Sequence, residues 1–322
     1  MLAAYVERFD DADPGAALRV DQRTEPDPPD GWTVVTVKGA SLNHHDVWTA
    51  RGLGVVRPDQ LPMILGCDAA GIDDAGRDVV VHAVITDPAW LGPELLAPSL
   101  ALLSDGPPGT FAERVAVPRR NLVPKPASLS FEQAACLPTA WLTAYRMLFT
   151  KAAVQPGETV LVQGASGGLS TALIMLGRAA GVRMWVTGRE ESKRAYALER
   201  GADAAFEPGA RLPERVDAVM DSVGAATWEH SLKVLRKGAT LVVARATGGF
   251  SAPTNIVRMF QNDLRIVGST MGTIDELRNL VDFCESAAIH PPVSEVLPLE
   301  RAAEALATMA TGAVRGKIVL RP

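Results

Sequence analysis

Hydrophobic and polar positions along the chain fall into two regimes that meet near residue 120. Before it, short alternating or apolar runs such as 32–38 and 78–84 are broken every few residues by Pro and Gly. Alternation of period two, bounded by turn formers, predicts strands of a β-rich, barrel-like domain. Beyond residue 120, apolar runs at 159–162, 184–187, 217–221, 240–243 and 264–268 alternate with segments of helical periodicity. Strand and helix in turn predict a parallel sheet with crossover helices, a doubly wound α/β unit. Residues 131–150 carry Ala134, Leu137, Leu142, Tyr145 and Leu148 on one face and predict a helix leading into that sheet. The segment 87–109 is rich in Pro, Leu and Gly without a period, which predicts a mobile excursion.

Residues 158–188 are the chemically specific part of the second regime. A buried strand runs into the turn Gly164-Ala165-Ser166-Gly167-Gly168, then into a helix with an apolar stripe at Leu169, Leu173, Leu176 and Ala180, then into a second strand. Gly167 and Gly168 leave backbone N–H groups bare at a helix N-terminus, where orphan donors and the positive dipole end favour a phosphate. Ala165 and Ser170 stand at the first and third positions of G-x-G-x-x-G, and both are small enough for close packing. The unit therefore reads as a dinucleotide site formed by Ala165, Ser166, Gly167, Gly168 and Leu169. Ligands of such sheets lie beyond the carboxyl ends of the strands, which adds Ser222, Val223, Thr247, Gly268, Ser269 and Thr270.

The second strand of an NAD site ends in an acidic residue that accepts from the ribose hydroxyls. Here Gly188 holds that position, followed by Arg189 and Lys193. A guanidinium offers the planar fork that a 2′-phosphate prefers, so NADPH is expected over NADH. Glu190 and Glu191 offer hydroxyl acceptors, and a solvated helix start is the plainer alternative for the whole stretch.

Composition sets the outer limits. A chain of 322 residues with 47% hydrophobic content has room for two cores. It contains no apolar run of membrane-spanning length and no basic leader, so a cytoplasmic protein that does not enter membranes is expected. A net charge of −5 argues against nucleic-acid binding. Cys67, Cys136 and Cys284 form no C-x-x-C pair, and the last two sit among apolar neighbours as core residues do.

Several strings carry a resemblance: Ser41-Leu42-Asn43-His44-His45-Asp46, Leu65-Gly66-Cys67-Asp68-Ala69-Ala70-Gly71, Gly109-Thr110-Phe111-Ala112-Glu113, Leu142-Thr143-Ala144-Tyr145, the glycine turn, and Gly316-Lys317-Ile318-Val319-Leu320. In this order they resemble the medium-chain dehydrogenase/reductase superfamily, most of all its zinc-independent quinone oxidoreductase branch. The resemblance runs from about residue 20 to the C-terminus. It implies a GroES-like catalytic domain over 1–121, completed by 271–322, with a Rossmann NADP-binding domain over 122–270. It also implies a homodimer joined edge to edge near 264–270.

The zinc alcohol dehydrogenases, a more distant likeness, hold their metal with Cys, His and Cys; the matching positions here are Asn43, Cys67 and Thr139. A neutral amide and a hydroxyl are poor zinc ligands, so no zinc is expected. An unorthodox set drawn from His44, His45, Cys67 and Asp68 is the alternative. Without a Lewis acid the chemistry shifts from alcohol oxidation to hydride transfer onto a quinone or α,β-unsaturated carbonyl. Hydrogen-bond donors then have to stabilise the developing oxyanion. The resemblance implies Asn43 and Thr139 as those donors and His45 as proton donor, its imidazole titrating near neutrality. It places Thr143 against the nicotinamide, His44 against the pyrophosphate, and Lys317 among the cofactor-binding residues; for the adjacent His44 and His45 the plainer alternative is hydrogen-bonded structure. Trp48 stands where many quinone reductases have a tyrosine. Trp48, Trp90 and Phe111 are candidates for an apolar pocket or for ordinary packing. Two other classes stay open: an alcohol dehydrogenase with an unusual metal site, and a weakly catalytic NADPH-binding or regulatory protein.

Overall fold

The computed structural model describes residues 1–322 and divides into two compact units, Met1–Leu142 with Gly272–Pro322, and Thr143–Met271. The first unit holds strands β1 (Leu2–Val6), β2 (Leu18–Gln22), β3 (Trp32–Ser41), β4 (Met63–Ile64), β5 (Ala69–Ile72), β6 (Asp78–Val81), β7 (Val84–Ile85), β8 (Ala101–Leu102), β9 (Arg114–Pro118) and β10 (Leu122–Pro124). The second holds β11 (Thr159–Gln163), β12 (Arg183–Thr187), β13 (Ala204–Phe206), β14 (Val216–Asp221), β15 (Leu235–Val243) and β16 (Arg265–Gly268). The chain returns to the first unit for β17 (Val293–Pro298) and β18 (Lys317–Arg321).

In the first unit the largest sheet runs β10-β6-β5-β3-β18-β17, with β9 also paired to β3. Strand β3 shows why: Val35 and Val37 are buried while Thr36 and Lys38 face solvent, the period-two pattern of a half-buried strand. Its inward face joins Leu42, Leu65, Phe111, Ile318 and Leu320 in one core. Antiparallel pairing of Val319 with Ser41 and Leu320 with Ala40 stitches the C-terminal strand onto the N-terminal one. The expected boundary at 121/122 differs from this division. Residues 122–124 pair antiparallel with Val79 to Val81, which ties them to the first unit. Local periodicity carries no trace of such a non-local pairing.

The segment 87–109 is built rather than featureless. It contains a 3₁₀ turn at Glu94–Leu96, and β8 pairs back onto β7. The helical stretch expected over 131–150 starts with an α-helix at Phe131–Ala134, capped by the Ser130 hydroxyl accepting from Gln133 N–H. It then widens to π geometry at Leu137–Trp141 and Arg146–Lys151.

In the second unit the strand order β13-β12-β11-β14-β15-β16 is parallel throughout and doubly wound, with the reversal between β11 and β14. All five residues of β11 are buried, the mark of a central strand covered on both faces. The helix Gly168–Ala179 buries Leu169, Leu173 and Leu176, the stripe that the sequence predicts.

Candidate functional site

The parallel register aligns the strand ends. Gln163 lies opposite both Thr187 and Asp221, Asp221 opposite Val243, and Val243 opposite Gly268. Along this one edge the sequence-predicted cofactor residues follow their strands: Ala165 to Leu169 after β11, Gly188 and Arg189 after β12, Ser222 and Val223 after β14, Thr247 after β15, and Ser269 and Thr270 after β16. Gly164 turns the chain at φ +107°, a conformation glycine takes without strain. Gly167 caps the helix without a side-chain partner, and neither it nor Gly268 has an atom within 4 Å of the space a Cβ would fill. The buried Ser269 hydroxyl has no hydrogen-bond partner. Bare N–H groups, open space and an unspent hydroxyl along one edge fit a dinucleotide, and these residues would hold its phosphates. Thr143 is buried in the short helix Leu142–Tyr145.

The ribose end is more basic than the sequence suggests. Lys193 bridges to Glu190 at 2.8 Å. Arg194, which sequence reasoning missed, donates to the carbonyls of Gly188 (2.7 Å) and Arg189 (3.0 Å) and so holds the turn. Arg189 itself is exposed.

The first unit gathers two linked polar clusters. Asn43 is the N-cap of the helix His44–Ala50, and its backbone N–H donates to Asp46 Oδ2 at 2.7 Å. Its side chain is not idle. Asn43 Nδ2 donates to Asp68 Oδ2 at 2.8 Å, and Asn43 Oδ1 accepts from the Lys317 ammonium at 2.7 Å. Lys317 Nζ also donates to Leu42 O (2.6 Å) and Asp68 Oδ2 (3.2 Å), while the Ser41 hydroxyl donates to the same carboxylate oxygen at 2.7 Å. An ammonium has three donors, and all three are used. Lys317 therefore serves here as a buried counter-ion, where the resemblance implied a cofactor contact. Asn43 spends one amide hydrogen on Asp68, and its second lies at the long distance of 3.5 Å from Ser41 O.

The second cluster centres on His45. Its Nε2 lies 2.8 Å from Asp105 Oδ1, and its Nδ1 lies 3.4 Å from Cys67 Sγ and 3.9 Å from Asp46 Oδ1. Cys67 Sγ in turn donates to Leu103 O at 3.2 Å. With the thiol hydrogen directed there, sulfur can accept from His45 Nδ1 while Nε2 faces the Asp105 carboxylate. Burial opposes charge on the ring, but Cys67 and the carboxylates of Asp105 and Asp46 outweigh it and raise His45 well above 6.5. Burial pushes the Cys67 thiol up, against the pull of His45. The two groups titrate against each other: the imidazole is most strongly held charged when the sulfur is a thiolate, and the Asp105 and Asp46 carboxylates favour that charge in either case. Asp105 escaped sequence reasoning because it sits in the segment 87–109 with no motif around it.

His45, Asp46 and Cys67 present ligand atoms within 4.8 Å of one another, a grouping of metal-ligand type. Zinc takes a thiolate, so a metal held there would displace the hydrogen that Cys67 gives to Leu103 O. The positions matching the zinc alcohol dehydrogenases fit the metal worse, since Asn43 Oδ1 already faces the Lys317 cation. Thr139 lies in the first π-helical turn, its buried hydroxyl without a partner. His44 is half-buried in the first turn of its helix, as is Trp48 further along. Phe111 is fully buried core rather than pocket lining, and Trp90 donates to Pro93 O at the surface.

Comparison with known proteins agrees with this architecture. The alcohol dehydrogenase GroES-like domain family matches residues 29–127 and the zinc-binding dehydrogenase family residues 196–320. A zinc-type alcohol dehydrogenase-like protein of Schizosaccharomyces pombe is 31% identical over 90% of this chain and 91% of its own. A 2-methylene-furan-3-one reductase of Solanum lycopersicum is 29% identical over 92% and 73%. Among solved structures, an NAD-dependent alcohol dehydrogenase superposes with TM-score 0.91 at 33% identity, covering all of both chains. A 2-octenoyl-CoA carboxylase reductase in complex with NADP and 2-octenoyl-CoA gives TM-score 0.91 at 25% identity, over 99% of this chain and 87% of the other. No helix is long and apolar enough to cross a membrane. With a GroES-like sheet-rich domain and a Rossmann domain, the chain belongs to the medium-chain dehydrogenase/reductase superfamily, in its quinone-oxidoreductase-like branch, and is an NAD(P)H-dependent oxidoreductase.

Proposed function

We propose that this oxidoreductase uses NADPH to reduce a small α,β-unsaturated carbonyl or quinone without catalytic zinc. The observation that carries the reading is the Asn43–Lys317–Asp68 cluster: the first position of the zinc set is an amide whose oxygen is bonded to a buried ammonium. The tomato reductase and the octenoyl-CoA enzyme, which act on unsaturated carbonyls by name, support the substrate class. The missing carboxylate at Gly188 and the cations Arg189, Lys193 and Arg194 support NADPH over NADH.

When bound, NADPH supplies the hydride. The residues of the chain manage the oxygen and the proton. His45 stands as a charged donor oriented by Asp105, and its weak Nδ1 contact to sulfur is the one it gives up to a substrate oxygen. The unpartnered Thr139 hydroxyl is a second donor. Asn43 acts at one remove, fixing the helix start that presents His45. Thr143 and His44 remain proposed cofactor contacts. The domain assignment keeps the Rossmann fold for NADP and the GroES-like unit for substrate chemistry.

A homodimer joined through β16 is part of the proposal. That strand pairs only with β15, and Phe260, Ile256 and Val257 beside it are exposed. A cytoplasmic location accords with three free, unpaired cysteines.

The test is NADPH oxidation by the purified chain with quinones, enones and saturated aldehydes, together with metal analysis. Turnover of enones or quinones, indifferent to chelators, is expected. Stoichiometric zinc with chelator-sensitive alcohol oxidation refutes the reading, and tight NADPH binding without any turnover favours a weakly catalytic regulatory role.

A further inference from the structure

Gly188 is buried at the end of β12, and a Cβ placed on it would lie 2.9 Å from Ala165 Cβ and 3.2 Å from Arg194 Cγ. Two carbon atoms meet comfortably at about 3.5–4.0 Å. The backbone is not the reason for glycine, because Gly188 is absent from the positive-φ residues and its conformation is open to any L-residue. The obstruction is the methyl group of Ala165. Neither side can readily yield. Gly164 N–H donates to Thr187 O (3.1 Å), Gly188 N–H donates to Phe206 O (2.9 Å), and Arg194 clamps the Gly188 carbonyl from the other flank. Ala165 is itself buried, at 5% exposure, at the position where the dinucleotide fingerprint has its first glycine.

We propose that Ala165 is a specificity-determining residue of the cofactor site: its methyl keeps position 188 bare, so the strand cannot carry the carboxylate that selects NADH. Positions 165 and 188 are one steric unit. Glycine at 165 leaves room for an acid at 188, and alanine at 165 demands glycine there. The anion site beyond β12 is thereby left to Arg189, Lys193 and Arg194. This inference rests on the NADPH reading above.

The experiment is a double-mutant cycle of Ala165→Gly and Gly188→Asp in the full chain. NADPH and NADH dissociation constants are read from nicotinamide fluorescence, and folding from the thermal midpoint. Gly188→Asp alone is expected to lower the midpoint and weaken both cofactors. Adding Ala165→Gly is expected to restore the midpoint. It should also tighten NADH by about tenfold or more, the scale of one charge-assisted hydrogen bond, and weaken NADPH by a similar factor. If Gly188→Asp alone is as stable as wild type and switches cofactor as fully as the double variant, the coupling is overturned. Wild-type binding that favours NADH instead overturns the cofactor reading itself, and this proposal with it.

Discussion

Lys317→Met removes the one cation from a cluster that has no other. Asp68 is 0% and Lys317 2% exposed, so the carboxylate left behind has no water to turn to. Leu42 O and Asn43 Oδ1 lose their donor at the same time, and Asp68 keeps only Ser41 Oγ and Asn43 Nδ2. Breaking a buried pair from one side costs about 3–5 kcal/mol, because it strands a desolvated charge. Global unfolding of a chain with two units is a poor reporter of that cost, since two-state behaviour is not assured. Hydrogen exchange of the β18 and β3 amides reads it locally, and 3–5 kcal/mol corresponds to opening about a hundred- to several-thousand-fold more often. Exchange in β11 to β16 should be unchanged. The added substitution Asp68→Asn neutralises the stranded charge and should recover most of the loss. A cost below about 1 kcal/mol, the range of a solvated pair, refutes the reasoning. So does a double variant worse than Lys317→Met alone.

Two further outcomes follow from the charges. The His45 value is raised, so the stability its charge contributes is fully present below 6.5 and is lost only as pH rises through the higher folded value. Asp105→Asn removes one source of that shift, and the high-pH limb of the kcat profile should move to lower pH while KM changes little; an unmoved limb excludes His45 as proton donor. The three thiols should be silent in the native protein, since burial pushes Cys136 and Cys284 to about 12 and raises Cys67 as well. A chromogenic disulfide reagent at neutral pH should find none before unfolding and three after it, and a fast-reacting native thiol contradicts the assignment.

What the sequence disclosed and what it withheld divide along contact distance. The strand at β11, its glycine turn, the following helix and β12 form one contiguous stretch, so their periodicities and turn residues are visible in a short window. The alignment of Ser222, Val223, Ser269 and Thr270 with that turn needs only the rule that parallel strands place their carboxyl ends on one edge. The chemistry of the first unit has no such window. Lys317 and Asn43 meet across 274 positions of chain, and His45 and Asp105 across 60. Neither pair belongs to a repeating pattern. Sheet pairing of β18 on β3 creates the first, and a turn in the segment 87–109 creates the second, with Ser104 in the left-handed region at φ 72° just before Asp105. The amide at Asn43, read alone, marks a lost metal ligand and suggests a free hydrogen-bond donor. Set against Lys317 and Asp68, it is the hinge between an ammonium and a carboxylate, using its oxygen on one and its N–H on the other. Residue type alone could not disclose this, because the oxygen and one amide hydrogen of Asn43 are spent on an ion pair whose members lie far from it in the chain.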